Sequence, residues 1–187
     1  MLNEHEWWRY AGGWTQEPEV YVLRIPKAAS SALTSAFQNV AFVPTHYYPL
    51  IFAPEGKLVF AVMRDPLERF RSAFDQFTTW PKRHLLERFS TIDDFVAAGP
   101  KEWTSSDWGC GYTPSSWWLK SVGFVRERGA IVLDYRTFSE DLVRMGLPRP
   151  GRSHSSVRRG TILSQRSRDT LREYYSDDYR LMEGLWS

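Results

Sequence analysis

The chain has 187 residues, 42% of them hydrophobic, which suffices for one well-buried core but not for two ordinary domains. Its 24 basic and 22 acidic residues give a formal net charge of +2, and this balance argues against nucleic acid as the main partner. The single cysteine, Cys110, excludes an internal disulfide, so we expect a reducing, cytoplasmic setting.

No membrane insertion is expected. The N-terminal residues MLNEHEWWRYAGGW carry charges and lack the apolar run of a signal peptide. The stretch 28–54 contains no formally charged residue, but Gln38, Asn39, His46 and three prolines within it argue against a transmembrane helix.

The first predicted unit is a strand, a turn and a helix. The run VYVLRI at 20–25 predicts a buried strand, and SSALTSAFQNV at 30–40 predicts a helix. The turn between them carries Lys27 and small residues, which let a phosphate approach backbone N–H groups at a helix N-terminus. This pattern predicts an anion cradle. It differs from GxxxxGK[ST] because the lysine comes first and glycines are absent, and Lys27 as an ordinary solvated loop lysine is the alternative.

The second predicted unit repeats the strand and the helix. The run KLVFAVM at 57–63 predicts a buried strand, and PLERFRSAFDQFTTW at 66–80 predicts a helix. Asp65 at the N-cap, Pro66 at the first helical position and Glu68 in the first turn are typical of a helix start.

Arg64 ends this second strand, so we expect it at the carboxyl edge of the sheet, where ligands bind in open α/β folds. Ser72 follows eight residues later on the second turn of the helix and can face the same anion. A guanidinium fork with a hydroxyl suits a phosphate monoester. The alternative is structural: Arg64 pairs with Asp65 or Glu68, and Ser72 bonds to its own backbone.

The remaining segments continue the alternation of helices and strands. We predict a helix at 91–99 with a capping-box-like pair of Thr91 and Asp94. Further predictions are a strand AIVLDY at 130–135, a helix TFSEDLVRMG at 137–146, a C-terminal helix at 164–185, and loops at 100–113 and 146–163. The pattern predicts an α/β fold with a central parallel sheet flanked by helices.

Nine tryptophans include the adjacent pairs Trp7-Trp8 and Trp117-Trp118. Core and surface packing is the ordinary explanation for them. A platform on which sugar rings stack is the alternative.

Two motifs resemble those of the sulfotransferase family, in the family's order. RIPKAASSAL at 24–33 is similar to the 5′-phosphosulfate loop, and its wording is closest to the carbohydrate sulfotransferases. MRDPLERFRSAF at 63–74 is similar to the family's 3′-phosphate-binding motif. The resemblance runs from about Val20 to Met182. It implies one sulfotransferase-like domain over residues 1–187, with a core at about 20–182 and a P-loop-like three-layer fold.

The resemblance also implies the ligands. The donor would be 3′-phosphoadenosine 5′-phosphosulfate, the product 3′-phosphoadenosine 5′-phosphate, and the acceptor a small-molecule or glycan hydroxyl, with no metal. Arg158-Arg159-Gly160 resembles an element that touches the 3′-phosphate in cytosolic members, although a solvated basic loop is an equal alternative. The implied donor-binding residues are Arg24, Lys27, Ala28, Ala29, Ser30, Ser31, Ala32, Arg64, Ser72, Arg158, Arg159 and Gly160.

Sulfonate transfer, like phosphoryl transfer, depends mainly on positioning and charge stabilisation. Lys27 is the expected stabiliser of the departing phosphate oxygen. The acceptor hydroxyl needs a general base, and His46 in THYYPLIFAP lies where family members place a catalytic histidine or glutamate. The other histidines are His5, His84 and His154, of which His154 falls in the predicted loop 146–163.

The chain also departs from the family. Tyr135-Arg136 stands where an acid is usual after the third strand. The carbohydrate sulfotransferases carry a membrane anchor and a longer catalytic domain, so a short, soluble relative of bacterial or viral type is implied. Two rival functions stay open: a P-loop kinase that uses the acid of LVFAVMRD for magnesium, and a non-catalytic glycan- or nucleotide-binding module.

Overall fold

The computed structural model describes residues 20–34, 36–37, 40–41, 49–53, 55–79, 88–104, 109–151 and 161–187. The strands are β1 Val20–Leu23, β2 Val40–Ala41, β3 Leu58–Met63 and β4 Ile131–Asp134. The helices are α1 Ser30–Thr34, α2 Pro66–Thr79, α3 Ile92–Ala98, α4 Pro100–Thr104, α5 Ser115–Leu119, α6 Val122–Glu127, α7 Phe138–Arg144, α8 Gln165–Tyr174 and α9 Ser176–Trp186. Short 3₁₀ turns lie at Leu50–Phe52 and Gly109–Gly111.

The strands form one parallel sheet in the order β2-β1-β3-β4. Three of them are the predicted apolar runs, and β2 adds only two residues, which pair with Val20 and Tyr21. Parallel strands share one carboxyl edge, and Met63 at the end of β3 lies opposite Asp134 at the end of β4. The residues that follow β1, β3 and β4 therefore meet at that edge.

Both faces of the sheet are buried, as apolar runs with little alternation predict. One face packs Val22 and Phe60 against Leu33 of α1 and Leu142 of α7. The opposite face packs against α5, α6 and α9, and its apolar contacts include Leu23, Ala61, Trp118, Val125 and Leu181. The architecture is thus a sheet between two helical layers, and the α/β prediction is confirmed.

A separate aromatic cluster joins α2 to α3, α4 and α8. Its centre is Phe70, whose ring lies 4.9 Å from Tyr112, 5.4 Å from Trp103 and 5.8 Å from Phe95, centre to centre. Tyr175 at the end of α8 closes the cluster and donates a hydrogen bond from its hydroxyl to the Tyr112 carbonyl, at 2.6 Å. This packing fixes α2 along one side of the molecule.

The predicted helix starts are confirmed. Asp65 caps α2, because its Oδ1 accepts a hydrogen bond from the Glu68 N–H at 2.9 Å. Thr91 and Asp94 form a complete capping box at the start of α3, with each side chain accepting from the other's backbone N–H.

Several predicted boundaries are wrong. The helix expected at 30–40 ends at Thr34, since residues 40–41 belong to β2. The single C-terminal helix is two, α8 and α9, which meet at Tyr175. The segment 100–113, expected as a loop, contains α4 and a 3₁₀ turn. Within the ranges that the structure describes, no helix is both long and apolar enough to cross a membrane.

Candidate functional site

The turn after β1 is tightly folded around Lys27. Ala28 is fully buried, and its N–H donates to the Ile25 carbonyl at 3.4 Å. Lys27 and Ala29 have φ angles of 62° and 59°, in the left-handed region that residues with a Cβ rarely adopt. Such backbone strain is often found at functional turns, so this loop is the first component of the candidate site.

The Lys27 ammonium lies over α2. Its Nζ donates a hydrogen bond to Oε1 of Gln76 at 2.6 Å. Burial and the neighbouring Arg64 guanidinium lower the pKa of Lys27 to about 8, and the Asp75 carboxylate partly opposes this shift. Two cations thus share a partly buried space, which is a setting that favours an anionic ligand.

Arg64 follows β3 and bridges three elements. Its Nη1 donates to the Lys27 carbonyl at 3.4 Å, and its Nη2 lies 3.4 Å from Oε2 of Glu68. Its guanidinium carbon lies 4.3 Å from the ring centre of Tyr135, directly after β4. The side chain is 13% exposed, and its buried Nε has no hydrogen-bond partner in the described part of the chain. The contacts are long for hydrogen bonds to a charged group.

One face of α2 completes the site. Ser72 is buried and lies one helical turn before Gln76, so the two side chains share a face. Asp75, next to Gln76, accepts a hydrogen bond from the hydroxyl of Thr161 at 2.6 Å. The start of the segment 161–164 is therefore anchored beside the Lys27 site.

Of the predicted donor-binding residues, the structure brings Lys27 and Arg64 into contact. Ser72 lies between Glu68, which contacts Arg64, and Gln76, which contacts Lys27, at i, i+4 spacing from each on α2. Of the others, Ala28 and Ala32 are buried, Arg24 and Ala29 are half-buried, Ser31 is exposed, and Ser30 begins α1. His46, Arg158, Arg159 and Gly160 lie outside the described residues. Because α1 spans only five residues, its dipole is weaker than that of the helix predicted over 30–40. The positive potential at the turn therefore depends more on the side chains of Lys27 and Arg64.

The contacts of Gln76, Asp75 and Tyr135 were not expected from the sequence. Gln76 and Asp75 were not singled out, although the i, i+4 spacing from Ser72 to Gln76 is a usable signal. Tyr135 was noted only for the missing acid after it, and its ring lies against Arg64. Arg136, in place of that acid, pairs with Asp134 through its Nε at 2.9 Å.

The two tryptophans at 117–118 lie in different environments. Trp118 is in the core and 1% exposed, whereas Trp117 is 41% exposed on the surface of α5. The ammonium of Lys120 lies 6.0 Å from the Trp117 ring centre. Trp7-Trp8 lies outside the described ranges. No group of three or more His, Cys, Asp or Glu side chains in the described ranges is arranged to hold a metal ion.

Comparison of the chain with protein-family models, with curated proteins and with solved structures finds no match in any of the three.

Proposed function

We propose that this protein is a sulfotransferase that moves a sulfonate group from 3′-phosphoadenosine 5′-phosphosulfate to an acceptor hydroxyl. In this proposal the Lys27 turn binds the 5′-phosphosulfate, and Arg64 with Ser72 binds the 3′-phosphate. The fold is then of the P-loop-like three-layer kind, with the donor at the carboxyl edge of the sheet.

The observation that carries the proposal is the contact between the two motifs. Arg64 and Lys27 are 37 residues apart in sequence, and the guanidinium of one donates to the carbonyl of the other. Two clustered cations, one with a pKa lowered to about 8 and the other with a buried Nε that has no partner in the described ranges, have much to gain from an anion. A ligand with two separate phosphate groups suits this arrangement.

The chemistry follows from these roles. The acceptor oxygen attacks sulfur, the bond between sulfur and the bridging phosphate oxygen breaks, and the acceptor hydroxyl loses its proton. Lys27 stabilises the negative charge that develops on the bridging oxygen. The proton goes to a general base, for which His46 stays the prediction. The products are a sulfate ester and 3′-phosphoadenosine 5′-phosphate.

Further parts of the proposal rest on the sequence. A sugar hydroxyl is the proposed acceptor, for which the exposed ring of Trp117 offers a stacking surface. Arg158-Arg159-Gly160 is proposed to touch the 3′-phosphate, and Thr161 directly after it is anchored to Asp75 beside the site. We propose transfer without a metal, in the cytoplasm.

The test is ligand-dependent thermal stability without added metal. At a concentration about 100 times its dissociation constant, 3′-phosphoadenosine 5′-phosphate should stabilise the fold by roughly 2.7 kcal/mol. That corresponds to a melting shift on the order of 5–10 °C for a domain of this size. Transfer of radiolabelled sulfonate to a panel of sugars, phenols and other hydroxyl acceptors then tests turnover.

The rival functions give different results. A P-loop kinase would be stabilised by ATP with magnesium and not by the 3′-phosphorylated nucleotide. A binding module would be stabilised by that nucleotide, and no acceptor would be sulfated. No shift with saturating 3′-phosphoadenosine 5′-phosphate would overturn the proposed donor.

A further inference from the structure

Gln76 holds the ammonium of Lys27 from the third turn of α2. The 2.6 Å distance from Nζ to Oε1 is short for a hydrogen bond, and it joins residues 49 apart in sequence. The helix that carries Gln76 is fixed by the aromatic cluster through Phe70 and Phe74. Lys27, in contrast, stands on a turn with an unusual backbone conformation. The helix therefore supplies the rigid side of this contact.

The charge balance around Lys27 explains why an amide suits this position. The charged groups that face the ammonium are Arg64 at the end of β3 and Asp75 on α2. Asp75 is engaged by the Thr161 hydroxyl, and Gln76 has no charge. An amide carbonyl orients the ammonium without neutralising it, so the positive charge stays available to a bound anion. A carboxylate at the same place would compete with that anion.

We propose that Gln76 is a positioning residue for Lys27. By accepting a hydrogen bond from Nζ, Gln76 holds the Lys27 ammonium between the 24–33 turn and α2. The identity of the anion that Lys27 binds rests on the proposed function, whereas the positioning role of Gln76 does not. The contact itself is a property of the fold and can be tested by the ionisation of Lys27 alone.

The first measurement is the titration of Lys27 by NMR of ¹³Cε-labelled lysine. The chain has five lysines, and comparison with Lys27→Arg assigns the signal. Gln76→Glu should raise the pKa of Lys27 by about 1, because a carboxylate favours the charged amine. Gln76→Met keeps the length and removes the acceptor, so it should lower that pKa by roughly 0.5–1. Gln76→Asn, which withdraws the amide by one methylene, should lower it less.

The second measurement is the affinity for 3′-phosphoadenosine 5′-phosphate from pH 6 to 9.5. Binding requires the protonated amine, so affinity falls as the pH rises through the pKa of Lys27. In Gln76→Met this fall should begin at lower pH, with little loss at pH 6. In Gln76→Glu it should begin at higher pH, while the affinity at pH 7 drops on the order of 10-fold because the carboxylate repels the anion.

Gln165→Glu is the matched control. Gln165 is exposed on α8, where it donates to Asp169 at 2.8 Å, and the substitution adds the same charge away from Lys27. It should leave unchanged both the pKa of Lys27 and the pH dependence of the affinity for 3′-phosphoadenosine 5′-phosphate. The positioning role is wrong if the pKa of Lys27 shifts in the same direction in Gln76→Glu and Gln76→Met, or if it shifts in neither variant. Opposite shifts without nucleotide binding by the wild type would support the role of Gln76 and reject the proposed donor.

Discussion

Helix α2 carries one arginine in the interior of the protein, and a second arginine lies just before the helix at the edge of the sheet. Arg69 is fully buried; its Nη2 donates to the Thr113 carbonyl at 2.6 Å and lies 3.9 Å from the buried Asp178 carboxylate. Arg64 is close to Lys27 and Glu68, and both of these contacts are 3.4 Å long. The interior cation has a short bond to protein and a buried counter-ion, whereas the edge cation has long contacts and an exposed counter-ion.

This difference separates a structural cation from one that is proposed to bind a ligand. The Nε atoms of both arginines are buried and have no partner in the described ranges, so the distinction lies in the other guanidinium nitrogens. Asp178 also accepts from the N–H groups of Ser115 and Ser116, at 2.7 and 2.8 Å, and so joins α9 to the start of α5. The interior site is thus a clamp between elements, and the edge site has bonding capacity left for a ligand.

The largest effect should come from breaking the clamp. Asp178→Ala leaves Arg69 as a buried charge without its counter-ion and removes the acceptor of two backbone N–H groups. We expect a loss of about 3–5 kcal/mol in the free energy of unfolding, measured by urea denaturation. Asp177→Ala is the matched control: Asp177 is exposed and pairs with Arg180, so its loss should stay within about 0.5 kcal/mol. Equal losses for the two variants would contradict the clamp.

A smaller effect, on binding instead of stability, is expected at the edge site. Arg64→Ala should weaken 3′-phosphoadenosine 5′-phosphate binding by roughly 10–150-fold at pH 7, about 1.5–3 kcal/mol, by removing a charge-assisted bond. The affinity for adenosine 5′-phosphate, which lacks the 3′-phosphate, should scarcely change. Calorimetry on both nucleotides measures this. A similar loss for both would mean that Arg64 only supports the Lys27 turn.

The smallest expected effect concerns the aromatic support of Arg64. Tyr135→Leu keeps apolar bulk but removes the ring 4.3 Å from the guanidinium. Binding of 3′-phosphoadenosine 5′-phosphate should weaken by about 2–5-fold, which is 0.5–1 kcal/mol. Tyr135→Phe keeps the ring and should bind like the wild type. If the phenylalanine variant is as weak as the leucine variant, the hydroxyl and not the ring matters.

The predictable parts of the fold are the elements that have an apolar run or a helix cap in their own local sequence. The strands at 58–63 and 131–134 are apolar runs, and α2 and α3 begin with side-chain caps, so both kinds of element show in the sequence. The strand β2 has two residues and is defined only by its pairing with β1. The helices α5 and α6 have five and six residues, too few for a periodic pattern, so tertiary packing determines them.

The candidate site was predictable to the extent that it depends on strand ends. Residues directly after parallel strands share an edge, and this rule placed Lys27 near Arg64. Gln76 could have been inferred, because it lies i, i+4 from Ser72 on the same helix face. The bond of Asp75 to Thr161 could not, because the two residues are 86 apart in sequence. The arginine at 69 appeared only as part of a motif, because its partner Asp178 lies more than a hundred residues away.

The clamp also bears on how the chain folds during synthesis. Asp178 bonds to the N–H of Ser115 across 63 residues, and Ser164 bonds to Asp93 across 71. Long-range contacts of this kind cannot form until the later partner has left the ribosome, and closing such loops costs entropy before packing repays it. The sheet and the edge that bears Lys27 and Arg64 are encoded before residue 135. The helices that complete the packing around them, α8 on α2 and α9 on the sheet, come later in the chain. A nascent chain halted before α8 would lack Leu171 and Tyr175, so the part of the aromatic cluster that these residues cover would be exposed until they are synthesised.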